Sequence, residues 1–254
     1  MLLMPSTRTS DHKVRANARA KQVGSEFTGL PEAGFRLLRQ LKKNNDREWF
    51  GRHKEAYKET VEIPMASLVS AVSAKCRTRG LPLFPKEKNP VMRVYRDIRF
   101  SADKTPFKTH VAAELRRSFS GSQPMLYLHF APGKSFVAAG VWQPDRTLLQ
   151  AWRGAMIERP DEIEAVVSSL KRKKLELDRE YSLSAMPRGF QNFAQSPLAP
   201  LLKLTSFVMA RTIEPADCHT AKLVDKVVDF AFDAKPLLDF GWKVEDARPK
   251  GFPE

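Results

Sequence analysis

Apolar positions Phe35, Leu37, Leu38 and Leu41 recur on one face of a 3.6-residue repeat, which predicts a first helix after Pro31. Asn44-Asn45 ends it. Asn45 is expected to cap the next helix, with Glu48 three residues on as in a capping box. That helix is predicted from Asp46 toward Arg79, broken or kinked at Pro64, and Gly80-Leu81-Pro82 closes it. From Pro90 to Trp142 the period changes to two. Met92 and Val94 alternate with Arg93 and Tyr95; Val111, Ala113 and Leu115 alternate with His110, Glu114 and Arg116. Leu126, Leu128 and Phe130 alternate with Tyr127 and His129, and Phe136-to-Trp142 repeats the pattern. Ser120-Gly121-Ser122 and Pro132-Gly133-Lys134 supply turns. Helical periodicity returns over 145–158 and 160–170, split at Pro160, then a loop-rich stretch over 187–200. A further strand is expected at Leu204–Arg211 and a last amphipathic helix at Asp217–Phe240. The order predicts an α+β fold: an antiparallel meander of four to five strands packed with N- and C-terminal helices.

Composition fits that picture. Of 254 residues, 42% are hydrophobic, enough for a sizeable core. Residues 27–245 hold no repeat and no strong linker, so they are expected to form one domain. Residues 1–26 read as a basic, disordered tail and 246–254 as a short C-terminal one. The opening apolar run is too short for a signal-peptide core, and no run reaches the roughly 20 residues of a membrane span. Cys76 and Cys218 exclude a disulfide framework or a four-cysteine zinc site; free thiols and a cytoplasmic location are expected. The net charge of +14 favours an anionic partner (nucleic acid, a phosphorylated metabolite or a membrane surface); a small anion is the expected partner, nucleic acid the alternative, and no membrane is expected.

The charge concentrates in residues 93–110. Arg93, Arg96, Arg99, Lys104 and Lys108 face only Asp97 and Asp103. On a continuous strand Arg93, Tyr95, Asp97 and Arg99 would share one side, while Met92, Val94, Ile98 and Phe100 would meet the core. Lys108, His110, Glu114, Arg116, Tyr127 and His129 extend the polar side if neighbouring strands keep register. Arginine forks and ammonium groups at this density suit a phosphate- or carboxylate-bearing small molecule. Arg93, Arg96, Arg99, Ser101, Lys104 and Lys108 are the expected ligand contacts. Asp97 and Asp103 would orient the cations or act as base, and His110 is the second candidate base, so the site could be catalytic. Nucleic-acid binding by the same basic sheet is the alternative, and a purely structural or interaction module the third.

Other chemistry is poorly supported. Trp49, Phe50 and Tyr57 have core-like helical spacing. No metal-ligand spacing occurs, and neither a metal nor a cofactor is expected. Gly-x-Ser-x-Gly, Gly-x-Gly-x-x-Gly and Walker A sequences are missing.

Two segments are specific. Asn44-Asn45-Asp46-Arg47-Glu48-Trp49-Phe50 and Arg96-Asp97-Ile98-Arg99-Phe100-Ser101-Ala102-Asp103-Lys104-Thr105-Pro106-Phe107-Lys108-Thr109-His110 together resemble the family catalogued as domain of unknown function 2461. Gly140-Val141-Trp142-Gln143-Pro144 and Pro187-Arg188-Gly189-Phe190 look like its later motifs. The resemblance spans most of residues 27–240 and implies a soluble α+β fold, with no activity to transfer. Where the family tends to show Asp-His-Pro, this chain has Ala194-Gln195-Ser196-Pro197, so any site built on that pair would be incomplete here.

Overall fold

A computed structural model describes residues 27–86, 89–118 and 122–247. The tail predicted at 1–26 lies outside the described residues, as do 248–254 of the C-terminal one, Glu87, Lys88 and 119–121. Helix α1 spans Glu32–Lys43 and buries Phe35, Leu37, Leu38 and Leu41, the stripe predicted from periodicity. Helix α2 (Arg47–Tyr57) is capped by Asp46, whose carboxylate accepts from Trp49 N at 2.8 Å. The cap is therefore not Asn45, which is used elsewhere.

A π-helical turn at Lys58–Glu62 joins α2 to α3 (Ile63–Thr78). Pro64 thus widens the helix instead of stopping it. Its ring has no N–H and would crowd the carbonyl four residues back, and one wide turn relieves that conflict. That carbonyl, of Thr60, lies against Gly34 of α1, where a Cβ would approach it to 2.4 Å.

The sheet follows the predicted meander. β1 (Phe84–Pro85), β2 (Val111–Arg116), β3 (Met125–Phe130), β4 (Phe136–Val141) and β5 (Phe207–Thr212) lie in sequence order, each antiparallel to the next. The strand expected from Met92 is replaced by two isolated bridges, Val91–Ala113 and Tyr95–Phe107. Between them the three residues 92–94 face the five residues 108–112, so a regular ladder cannot form. The expected inward side is also lost: Met92 is 36% exposed and Phe100 96%, while Val94 stays against the core.

Every second strand residue enters the core. Val111, Ala113 and Leu115 align with Phe130, Leu128 and Leu126, and these in turn with Val137 and Ala139. Helix α3 packs on β2, and α8 (Leu223–Asp246) packs on β4 and α3. Helices α4 (Arg146–Glu158) and α5 (Pro160–Arg172), split as expected at Pro160, pack on α8. Trp152 of α4 stacks on Phe207 at 4.4 Å and meets Phe240 edge-on at 5.3 Å. Gly241 leaves room for that indole, because a Cβ there would lie 2.7 Å from it. Two short helices, α6 (Ala199–Leu202) and α7 (Pro215–Cys218), flank β5. The last helix therefore starts later than predicted and continues through Pro236 to Asp246. Arg153 is buried and donates to the carbonyls of Leu202 (2.8 Å) and Leu204 (3.2 Å), fixing the loop ahead of β5. Among the described residues no helix is long and apolar enough to cross a membrane.

Gly140 pins the β4–β5 pair. Its φ is +125°, and a Cβ would stand 1.9 Å from the Phe207 carbonyl oxygen. Gly140→Ala is expected to cost about 2–4 kcal/mol of unfolding free energy, from strain plus steric overlap, as read by urea denaturation.

Candidate functional site: the open face of the sheet

The pleat sends the other half of the strand residues away from α3 and α8. Glu114 lies opposite Tyr127, Ala112 opposite His129, and His129 opposite Phe136. The polar sides of β2 and β3 therefore coincide. His110, just before β2, joins them, and three rings stack across the strands. His110 and His129 are 4.2 Å apart between centroids, and His129 and Phe136 4.6 Å. All three rings are half-buried.

Burial sets the protonation of this face. It pushes His129 down to about 4, with further lowering by His110 and Lys134. His110 is lowered by burial and then by Lys108. Tyr127 is raised to about 12 by burial and by Glu114. Tyr127 Oη and His129 Nδ1 share a hydrogen bond at 3.2 Å, in which the phenol donates when the imidazole proton is on Nε2 and the Nδ1–H donates when it is on Nδ1. Glu114 is taken by Arg116, whose Nη2 donates to it at 2.8 Å. Lys108 is half-buried, and its ammonium has no hydrogen bond or ion pair among the described residues. Burial lowers its affinity for the proton, Arg93 lowers it further, and Glu114 offsets part of this. Arg93 is exposed and likewise unpaired among the described residues.

Residues 91–110 form a hairpin whose base is held by α2. Asn45 Nδ2 donates to the Phe107 carbonyl at 2.9 Å, and Phe107 N donates to Asn45 Oδ1 at 3.0 Å. Phe50 stacks on Phe107 at 4.2 Å, and Tyr95 leans on Phe107 at 5.2 Å. The loop beyond is tied by Arg96. Its Nη1 donates to the Asp103 carboxylate, the Thr105 hydroxyl and the Thr105 carbonyl, and its Nη2 to Ser101 Oγ at 3.4 Å. Asp103 accepts Thr105 N at 2.9 Å, and that bond, then Arg96, holds its pKa down at about 2. Asp97 is held below the usual carboxylate range by Arg99, which donates to it at 2.7 and 3.0 Å. Lys104 donates to the Ile98 carbonyl at 3.0 Å. Phe100 stands out at the tip, with the Arg99 guanidinium 5.8 Å from its ring centroid.

The two specific sequence segments thus meet at the Asn45–Phe107 contact. A model of the family described as a conserved hypothetical protein, DUF2461, matches residues 33–240. The chain belongs to that family. Neither the curated proteins nor the solved structures compared with it gave a match.

In this DUF2461 member the nine candidate residues separate into groups. His110 joins the ring column, Lys108 lies two residues before it, and Lys108 N donates to the carbonyl of Val94, the residue after Arg93, at 2.7 Å. Arg96, Ser101 and Asp103 are spent on one another. Asp97 pairs with Arg99 on the exposed loop, and Lys104 binds the loop backbone. Tyr127, His129 and Phe136 complete the face, and strand alternation was the signal for them. Among the described residues no three His, Cys, Asp or Glu side chains are grouped to hold a metal ion. Cys76 and Cys218 are free and buried, and burial pushes the Cys76 thiol up to about 11.

Two expectations follow from this geometry. Asn45→Ala leaves both peptide groups of Phe107 unpaired and is expected to cost about 2 kcal/mol, with faster hydrogen exchange at the Phe107 amide. His129 binds a proton near pH 6.5 when unfolded but only near 4 when folded, so stability falls as pH drops through that window and levels off below it. Solvent screening reduces the effect to about 1–2 kcal/mol. Paired carboxylates slope the same way, so the test is the difference: His129→Gln should flatten the melting profile between these pH values relative to the parent chain.

Proposed function

We propose that the open face binds an anionic small molecule through a phosphate or carboxylate group. Lys108 and Arg93 are the counter-charges and His110 the neighbouring acid–base group. The observation carrying this reading is the half-buried Lys108 ammonium, which has no hydrogen bond or ion pair among the described residues, on a segment whose backbone bonds to the arm carrying the likewise unpaired Arg93 (Lys108 N to the Val94 carbonyl, 2.7 Å). Two like charges held together and partly desolvated repel, and an anion between them removes that penalty. Glu114 cannot fill the role alone because Arg116 already engages it. His110, neutral at rest, can accept a proton from a bound ligand or, once protonated, donate to its oxygens. On this reading Arg96, Ser101 and Asp103 shape the loop, and Arg99 and Lys104 form the outer rim.

A thermal-shift series with phosphate, pyrophosphate and citrate tests it. An anion at a hundred times its Kd should stabilise the chain by about 2.7 kcal/mol, a shift of several degrees. Lys108→Met, which keeps the apolar stem and removes the charge, should abolish the shift, and Arg93→Gln should weaken it. Equal shifts in Lys108→Met and the parent chain, or none with any anion, would refute the site.

A further inference from the structure

A groove lined by none of the open-face residues lies along α8. Asp229, Phe232, Asp233 and Pro236 line it from that helix, at i, i+3, i+4 and i+7, so they share one helical face. Helices α3 and α5 both pack on α8, and their C-terminal ends meet this face. Arg79 follows α3, Ser169 belongs to the last turn of α5, and Lys173 follows it. The groove measures about 470 Å³, within the range of sites that hold small molecules.

Its hydrogen-bonding groups are incompletely used. The Arg79 guanidinium lies 4.0 Å from the Phe232 ring centroid and 3.6 Å from the Asp229 carboxylate, an ion pair beyond hydrogen-bond reach. Lys173 is 3.2 Å from Asp233, a carboxylate that already accepts from Arg211 of β5 at 2.8 Å. The side chains of Arg79, Lys173 and Ser169 make no hydrogen bond among the described residues. Guanidinium, ammonium and hydroxyl donors therefore line one space with their capacity unspent. Arg79, Lys173 and Arg211 against Asp229 and Asp233 also leave one positive charge in surplus.

We propose that this groove binds a small molecule with a single carboxylate and an apolar body, the carboxylate taken by Arg79, Lys173 and Ser169 and the body laid on Phe232 and Pro236. A guanidinium fork matches the two oxygens of a carboxylate, and one negative charge cancels the surplus. A phosphate fits less well, because its second charge would stand against Asp229 and Asp233 with no cation left to offset it. The protein loses little in exchange. Asp233 keeps Arg211, and the Arg79–Asp229 pair is long and solvent-exposed. This site is separate from the anion site of the open face, and neither depends on the other.

Calorimetry on the full chain with acetate, hexanoate, hexanamide and hexyl phosphate tests it. Hexanoate is expected to bind at least about tenfold tighter than acetate, because each methylene laid on an apolar surface contributes about a factor of four. Hexanamide should bind at least about tenfold more weakly than hexanoate, having no charge for the cations. Arg79→Met, which keeps an apolar stem over Phe232, should remove the preference for hexanoate over hexanamide; melting curves check that it folds. Hexanoate binding should persist in Lys108→Met, which separates the groove from the open face. In that same background hexyl phosphate should bind more weakly than hexanoate, and adding Asp229→Asn should narrow the gap. The proposal is overturned by equal affinity for hexanoate and hexanamide, by no binding of hexanoate, or by hexanoate binding that survives Arg79→Met and is lost in Lys108→Met. Hexyl phosphate binding tighter than hexanoate in the Lys108→Met chain overturns it as well.

Discussion

A strand can offer only every second side chain to the layer beneath it, and this alternation governs the whole chain. Val111, Ala113 and Leu115 must go under α3 and α8, because those helices bring apolar faces that have nowhere else to be buried. Once they do, Glu114 and Arg116 have no choice of side, and antiparallel register forces Tyr127 and His129 to the same side. The open face is the remainder of a sheet built to satisfy a core. What distinguishes it is that rings and charges, instead of ordinary solvated side chains, occupy the leftover positions.

Charge on this face and in the adjoining loop is handled in two opposite ways. Inside the loop every cation except Arg93 and Lys108 has a local acceptor, so Arg96 holds together a turn that contains no apolar core of its own. At the hairpin base those acceptors run out. On the proposed reading the contrast separates a brace from a site: the salt-bridged loop already has its acceptors, and the half-buried Lys108 ammonium has none among the described residues. It also explains why the richest run of basic residues is not itself the place where they act together.

Much of this was legible from residues. The α1 stripe, the break at Pro160 and strands β2 to β5 depend on local periodicity, turn sequences and proline, all encoded within a few neighbours. The shared polar side of β2 and β3 also followed from alternation. The failures have a common cause. Asn45 looks like a cap because the residues after it allow one, but its amide is used by Phe107, 62 residues away. Met92-to-Tyr95 alternates like a strand, yet pairing depends on the opposite arm, which carries two additional residues between the bridges. Arg96 falls on the apolar side of the same alternation, and only the folded loop supplies its acceptors. Arg153 gave no signal, since its partners are backbone carbonyls of another segment.

The uneven hairpin has a further effect on how these molecules coexist at high concentration. β1 and residues 91–95 are the outer border of the sheet beside β2, where a regular strand would offer a row of free peptide groups to another chain. Here that border is interrupted by Pro85 and Pro90, thrown out of step by the mismatch with 108–112, and carries the exposed charge of Arg93. A second chain could find neither continuous donors nor a flat register along it. The irregularity that takes a strand away from the fold thereby guards the sheet against growing from that side into aggregates.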